Sequence, residues 1–178
     1  MKRLFSLTAV AFLATFSLNA NAQHKNVRQV KNSSTEQPYK IENNNLRIGN
    51  IAYAQKVLWA WKDFDNNTLD NSINLFAEDM VATFPDGSIV KGRDNFLKMG
   101  KDYRNSLAAV SSMVSACTTL KTPDHPESEA VSIWGMETDT HKDGTVSKTH
   151  LNEIWFFNKE GKVFEFHQMA AKDTEDKK

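Results

Sequence analysis

Cysteine, proline and glycine are all scarce in this sequence of 178 residues, which contains one Cys, four Pro and seven Gly. A single thiol cannot close a disulfide within the chain, and so little glycine and proline excludes a collagen-like or low-complexity protein. Net charge is also lacking, since 22 Lys and Arg residues balance 22 Asp and Glu residues. Binding to a phosphate backbone needs a surplus of positive charge. We therefore expect no nucleic-acid partner.

The first 22 residues have the pattern of a secretory signal peptide. Lys2 and Arg3 precede the apolar run 4–18, and the small residues at 20–22 suit cleavage before Gln23. The apolar run, about 15 residues, would span about 22 Å as a helix, which is less than the roughly 30 Å of a bilayer core. We therefore expect an exported protein, periplasmic or secreted, with no membrane attachment after cleavage.

Two polar segments flank the predicted domain. Residues 23–45 are rich in Asn, Gln, Ser and Lys, and their few apolar side chains cannot offset the entropy of ordering the segment. The stretch 172–178 is charged at every position but Thr174. We predict a flexible polar linker over 23–45, one domain over 46–171 and a disordered charged tail over 172–178.

Helical patterns come first in the predicted domain and strand-like patterns follow. Apolar residues at helical spacing predict a helix from Ile51, a short second helix from Leu69 and a third helix after Gly92. Strand-like stretches occupy 80–84, 110–120, 130–138, 146–157 and 162–169. This order predicts an α+β fold in which three amino-terminal helices pack in a strongly curved antiparallel sheet.

Two turns predict which residues face each other in the last three strands. Asp143-Gly144 is typical of a two-residue hairpin turn and would place Trp134 opposite Glu153. The turn after Asn158 would place Glu153 opposite Phe166. Because alternate residues of a strand share a face, one face should carry Glu153 among apolar side chains. The predicted members of that face are Trp134, Met136, Leu151, Trp155, Phe157, Phe164, Phe166 and Gln168.

The opposite face of the sheet is also half apolar. Its predicted members are Val131, Ile133, Glu137, His150, Asn152, Ile154, Phe156, Val163 and His167. No further helix is available to cover this face, so we predict a homodimer through the outer sheet face. The histidines point outward in this register, and the lone Cys117 offers no zinc-ligand spacing. We expect neither a metal nor a cofactor.

Three stretches occur in an informative order: 75–79 (LFAED) leading to Pro85-Asp86-Gly87, then Gly92-Arg93, then 157–163 (FNKEGKV). Together they resemble the nuclear transport factor 2-like superfamily, in particular its SnoaL-like branch of polyketide cyclases and steroid isomerases. The resemblance covers residues 46–171. It implies a cone-shaped barrel in which the sheet and helices enclose a pocket, often in dimers.

The isomerase machinery of that superfamily is mostly missing from this sequence. The resemblance places the catalytic base at Phe84 and the oxyanion-hole tyrosine at or near Ala60, and neither side chain can do that chemistry. Only the acid on the penultimate strand is matched in kind, by Glu153. The resemblance therefore implies the scaffold without the isomerase site.

Glu153 is the candidate catalytic residue, because a carboxyl group held among aromatic rings should have a raised pKa and can then donate or accept a proton near neutral pH. Alternatively, Glu153 binds Tyr103, Arg104 or a buried water and only orients the pocket. If Glu153 is hydrogen-bonded to a second titratable group, an enzyme is favoured. If it is not, a binding protein is favoured.

The expected function is to bind a small apolar or aromatic molecule in the cone-shaped pocket. The predicted ligand-binding residues are Trp134, Met136, Trp155, Phe164, Phe166, Tyr103 and Trp59. One alternative is a SnoaL-like isomerase, cyclase or dehydratase that uses Glu153 for proton transfer. Another is an interaction module whose cone is filled by its own side chains.

Overall fold

Two α-helices, one 3₁₀ helix and seven strands form the part of the chain that the computed structural model describes, residues 38–43 and 45–173. All of these elements belong to the unit that begins at Ile41. The predicted signal peptide, most of the predicted linker and most of the predicted tail lie outside the described residues. Among the described helices, none has the length and apolar character needed to cross a membrane.

The helices follow the predicted order. They are α1 (Ile51–Asp65), the 3₁₀ helix (Leu69–Leu75) and α2 (Arg93–Ser106). The Asn50 side chain caps α1 by accepting a hydrogen bond from the amide of Ala52 at 3.0 Å. Gly92 precedes α2 with a φ of 86°, a conformation that glycine adopts without strain. The buried side of α1 consists of Ala54, Val57, Ala60 and Trp61.

Seven strands form one curled, unclosed sheet around the helices. Their bounds are β1 (Arg47–Ile48), β2 (Phe76–Thr83), β3 (Ile89–Lys91), β4 (Leu107–Lys121), β5 (Glu129–His141), β6 (Val146–Phe157) and β7 (Val163–Lys172). The spatial order is β1-β4-β5-β6-β7-β2-β3. The predicted α+β cone of three helices in a curved sheet is confirmed.

One pairing differs from the predicted antiparallel sheet, because β2 and β7 run parallel. Parallel neighbours are joined by a long crossover and leave no hairpin signal in the sequence, so the turns did not indicate this pairing. Every other pairing of neighbouring strands is antiparallel. The strand predicted over 80–84 also begins earlier, at Phe76.

The predicted register between β5 and β6 is wrong by one residue. His141 pairs with Thr145 across a three-residue loop, Lys142-Asp143-Gly144, whose glycine has a φ of 85°. A type I turn followed by a left-handed glycine uses one residue more than the predicted two-residue turn. Trp134 therefore faces Asn152 instead of Glu153, and the side chains of β5 are inverted relative to the prediction.

The inversion moves several residues between the faces of the sheet. Trp134 and Met136 lie on the outer face, whereas Glu137 lies on the inner face. Val131 and Ile133, predicted on the outer face, are fully buried in the core. The inner face of β6, which carries Leu151, Glu153, Trp155 and Phe157, is as predicted, since all four are buried.

The hairpin between β6 and β7 also has a three-residue loop, after which the ladder is irregular between Phe156 and Phe157. Glu153 faces Gln168, and Phe166 faces Trp155, instead of Glu153 facing Phe166. This shift of two residues keeps Phe166 and Gln168 on the predicted inner face. Phe164 has no partner in the β6 ladder, and its ring lies 6.4 Å from that of outward-facing Phe156. Val163, in contrast, is fully buried.

The core joins the buried side of α1 to the concave face of the sheet. Gly135 permits the closest approach: a Cβ added there would lie 2.7 Å from Cζ3 of Trp61 and 2.6 Å from the carbonyl oxygen of Met113. Trp61 can therefore lie directly on the backbone of β5. This contact positions α1 over the middle of the sheet.

We expect Gly135→Ala to lower the free energy of unfolding by about 1–3 kcal/mol, because the added methyl group overpacks a site closed by a backbone oxygen and a buried indole. Gly100→Ala is the matched control, since its Cβ would meet only the flexible Leu69 side chain at 3.2 Å. That change should be neutral or add up to about 1 kcal/mol through helix propensity. Urea unfolding of both variants tests this, and an equal effect at the two positions would contradict the proposed close contact.

Candidate ligand-binding site

A cavity of about 510 Å³ lies between the helices and the concave face of the sheet. This volume is within the range of about 300–1,000 Å³ that is usual for small-molecule sites. Eight of the 23 lining residues are aromatic: Trp61, Phe64, Phe76, Phe84, Phe96, Tyr103, Trp155 and Phe166. Solvent-exposed lining residues, among them Pro85, Asp86, Ser88 and Ala170, form the mouth. The cavity argues against a cone filled by its own side chains.

The rings of the wall support one another. Trp155 and Phe166 meet edge to face, with centroids 5.1 Å apart and an interplanar angle of 82°. Phe96 lies 5.1 Å from Phe76 and 5.4 Å from Phe166. Tilted and edge-to-face arrangements of this kind are the favourable geometries for aromatic pairs. The wall is therefore a connected cluster, which gives the cavity a defined shape.

Glu153 is held at the wall by three N–H donors. The indole nitrogens of Trp61 and Trp155 donate to Oε2 at 2.6 and 3.0 Å, and Gln168 Nε2 donates to Oε1 at 2.9 Å. Only 5% of the Glu153 surface is exposed. The carboxyl group thus connects α1, β6 and β7 in a buried network, and none of its three donors is titratable.

Burial raises the pKa of Glu153, while the hydrogen bonds from Gln168, Trp61 and Trp155 act in the opposite direction. The predicted direction is therefore confirmed, whereas the two side chains named as possible partners, Tyr103 and Arg104, bind other groups. Tyr103 donates to Asp139 at 2.6 Å, and Arg104 donates to the carbonyl oxygens of Phe64 and Asp65.

Glu137 is the second carboxyl group of the cavity wall, and the predicted register missed it. Its neighbours across the sheet, Ser112 on β4 and Thr149 on β6, line the cavity with it. Burial raises the pKa of Glu137 to about 8, with further contributions from Asp139, Glu153 and Asp65. A three-residue loop at Asp143-Gly144 places Glu137 on this face, whereas the predicted two-residue turn places it on the other, and Asp-Gly is compatible with both.

Two further carboxylates lie close behind the lining. Asp139 is 3% exposed; its Oδ2 accepts from the Tyr103 hydroxyl at 2.6 Å, and its Oδ1 has no hydrogen-bond partner among the described residues. Burial and the contact with Asp139 raise the pKa of Tyr103. Asp65 accepts from the Ser112 hydroxyl at 2.8 Å and from the Ser112 amide at 3.2 Å. These contacts attach α1 and α2 to the sheet beside Glu137.

The predicted ligand-binding residues divide into two groups. Tyr103, Trp155 and Phe166 line the cavity together with Glu153. The remaining four lie elsewhere: Trp134, Met136, Phe164 and Trp59. The corrected register turns Trp134 and Met136 outward, the irregular start of β7 displaces Phe164, and Trp59 lies on the solvent side of α1 with 69% of its surface exposed.

The histidines of β6 and β7 lie on the outer face, as predicted. His167 Nε2 is 2.7 Å from Glu165, and His150 Nε2 is 4.0 Å from Asp173. Within the described ranges, no three His, Cys, Asp or Glu side chains are grouped in a way that could hold a metal ion.

Comparison with known proteins gives matches among solved structures. No protein-family model matches the sequence, and no curated protein matches it. A SnoaL-like protein of unknown function from Burkholderia thailandensis has a TM-score of 0.53 at 13% identity, covering 70% of this chain and 99% of that one. An NTF2-like protein of unknown function from Exiguobacterium has a TM-score of 0.52 at 15% identity, covering 68% and 98%.

A third solved structure is a hypothetical protein with a ketosteroid isomerase-like fold from Catenulispora acidiphila, in complex with trimethylamine. Its TM-score is 0.50 at 15% identity, covering 69% of this chain and 86% of that one. Likenesses at this level of identity concern the fold. They show that the chain has the nuclear transport factor 2-like fold, as the sequence resemblance implied.

We expect Glu153→Gln to change stability little, because the amide oxygen can accept from both indoles while the amide nitrogen donates to a turned Gln168 side chain. Glu153→Leu leaves two buried indole N–H donors without an acceptor, at about 1–3 kcal/mol each, and removes the partner of the half-buried Gln168 amide. Urea unfolding should therefore show Glu153→Leu to be less stable than Glu153→Gln by about 3 kcal/mol or more. Glu160→Leu, in an exposed turn, is the control and should stay within about 0.5 kcal/mol of the parent protein. Similar stabilities for the Leu and Gln variants at position 153 would contradict the network.

Proposed function

We propose that the protein binds a small organic molecule, largely apolar or aromatic, in the cavity between its helices and the concave face of its sheet. The observation that carries this proposal is the cavity of about 510 Å³ with its wall of aromatic rings. Apolar surface with a few fixed polar groups is the usual composition of a small-molecule site. The aromatic wall supplies affinity through burial, and the carboxyl groups orient the ligand.

The surroundings of Glu153 support binding over catalysis by that residue. Its oxygens are taken by Trp61, Trp155 and Gln168, and none of these can exchange a proton with it at neutral pH. Glu153 therefore holds the wall in place. The trimethylamine complex of the Catenulispora acidiphila protein adds an instance of a small molecule bound by a chain of this fold.

A screen of small aromatic and carbonyl compounds by calorimetry should yield a ligand, and Ala170→Trp should weaken its binding about tenfold or more. Ala170 lines the cavity near its mouth, so an indole there enters the space that the ligand needs. Ala171→Trp is the matched control, because Ala171 is equally exposed, adjacent and on the other face of β7. Equal weakening by both variants would place the ligand elsewhere, and native mass spectrometry of protein from its own host that finds no bound molecule would weigh against the proposal.

A proton-transfer enzyme is the second candidate, and Glu137 favours it. This residue lines the cavity, and its pKa is raised to about 8, close to the pH at which a general acid or base works best. An isomerisation, cyclisation or dehydration of a bound carbonyl compound would then depend on Glu137 instead of Glu153. If the screen finds turnover, Glu137→Gln should lower kcat about 100-fold or more. Turnover that survives this change would exclude Glu137 as the proton-transfer group.

The outer face of the sheet supports the proposal of a homodimer. Met113, Trp134 and Met169 are exposed there on three different strands, and an apolar surface of this kind is stabilised when a second subunit covers it. Light scattering at micromolar concentration should give the mass of two chains, and Trp134→Glu should give the mass of one. Trp59→Glu is the control, because Trp59 is an exposed tryptophan on α1 and not on this face. A parent protein that is monomeric would contradict the dimer.

Export is proposed from the signal-peptide pattern of residues 1–22. The protein recovered from its host should then have the intact mass of a chain that begins at Gln23. A mass that includes residues 1–22 in material from the cytoplasmic fraction would contradict export.

A further inference from the structure

Among the described residues that line the cavity, every titratable side chain is either neutral or negatively charged. The described lining contains the carboxyl groups of Glu137, Glu153 and Asp86 together with the Tyr103 hydroxyl, and it contains no Lys, Arg or His. Asp139 and Asp65 stand directly behind the wall, where they contact Tyr103 and Ser112. The cavity therefore has a negative potential that grows with each carboxyl group that ionises.

The positively charged side chains near the cavity either bind groups outside it or are exposed to solvent. Arg104 is buried, but its guanidinium donates to the carbonyl oxygens of Phe64 and Asp65 at the end of α1. Lys62 lies 3.8 Å from Asp65 on the exposed side of α1, and Lys172 is exposed at the end of β7. None of the three lines the cavity. The buried Oδ1 of Asp139, which has no partner among the described residues, is a further sign of uncompensated negative charge.

Aromatic rings contact the residues on either side of Glu137 along the inner face of β5. Trp61 lies against Gly135, two residues along the same strand and on the same face as Glu137. Tyr103 is bonded to Asp139, two residues in the other direction, and its ring stacks near that of Phe64 with centroids 6.3 Å apart. The negative faces of such rings attract an organic cation, most strongly when water is excluded.

Given the proposed function of the cavity as a ligand site, on which this proposal rests, the geometry points to an organic cation as the ligand. The expected ligand is a compact ammonium compound whose charge pairs with Glu137. Its alkyl groups contact Trp61, Phe64 and Tyr103. The ring contacts suit a methylated or otherwise alkylated ammonium group better than a metal ion.

The charge state of Glu137 determines how such a ligand binds. The titratable groups that act on it are Asp139 on β5, Glu153 on β6, Asp65 on α1 and Tyr103 on α2. Arg104 on α2 is bonded to the carbonyl oxygens of Phe64 and Asp65, and Ser112 on β4 does not titrate. Because the pKa of Glu137 is raised to about 8, its carboxyl group is mostly protonated at neutral pH and ionises as the pH rises. A permanently charged ammonium compound should therefore bind more tightly as the pH rises, by up to about tenfold per pH unit below about 8, and level off above it.

The test is calorimetry with choline and with its uncharged carbon analogue, in which a tert-butyl group replaces the trimethylammonium group. The two compounds match in shape and differ in charge. At about pH 8.5, where Glu137 is mostly ionised, choline should bind about tenfold or more tightly than the analogue. Choline binding should weaken toward about pH 6, whereas binding of the analogue should change little.

Glu137→Gln should weaken choline binding about 10- to 100-fold at high pH and remove most of its pH dependence, while leaving the analogue unchanged. Glu160→Gln, the same change in an exposed turn, should behave as the parent protein. Circular dichroism of both variants establishes that the fold is retained.

The outcomes separate this inference from the proposed function. If the analogue binds as well as choline, the cation is overturned while the small-molecule site stands. If choline binds without pH dependence, or equally to the Glu137→Gln variant, the role of Glu137 is overturned. If neither compound binds and the aromatic screen also yields nothing, both proposals fail.

Discussion

The hydrogen bond from the Trp61 indole to Glu153 is the interaction on which the rest of the site depends. It joins the buried side of α1 to the concave face of the sheet at 2.6 Å, in a place where Gly135 lets the ring lie on the backbone of β5. Without an acceptor side chain at position 153, two buried indoles and the half-buried amide of Gln168 would lose their hydrogen-bond partner, which is costly in a medium of low dielectric constant. The network therefore stabilises the separation between helix and sheet that leaves a cavity between them.

The sequence predicts the layout of the fold well because hydrophobic periodicity is a local property. The helix from Ile51, the four long strands and the inward direction of Glu153 and Trp155 all follow from spacing along the chain. Which side chains of β5 point inward depends instead on whether the loop between β5 and β6 has two or three residues. Gly144 accommodates a left-handed conformation in a three-residue loop as readily as in a two-residue turn, and the sequence does not distinguish the two.

The length of this loop determines which residues of the cavity can be predicted from the sequence. A two-residue turn predicts Glu137 on the outer face and Trp134 and Met136 in the pocket, whereas the three-residue loop places all three on the opposite faces. The displacement of Phe164 has another cause, the irregular ladder at the start of β7, which no pattern of apolar residues reveals. The predicted cavity was thus aromatic with one acid, whereas the observed cavity is aromatic with an acidic cluster. This difference adds a cluster of carboxyl groups to a wall that the sequence predicts to be largely apolar.

The parallel pairing of β2 with β7 has a consequence for the folding of the protein. β2 ends at Thr83 and β7 begins at Val163, so the two strands are far apart in the chain, and one side of the cavity exists only after they have met. Contacts between residues so far apart in the chain form slowly, since closing a long loop costs entropy before any contact compensates for it. Without β7, the chain has its helices and the β4–β6 meander but lacks the part of the cavity wall that Phe166, Gln168 and Ala170 supply. The cavity is therefore complete only when β7 has paired with β2.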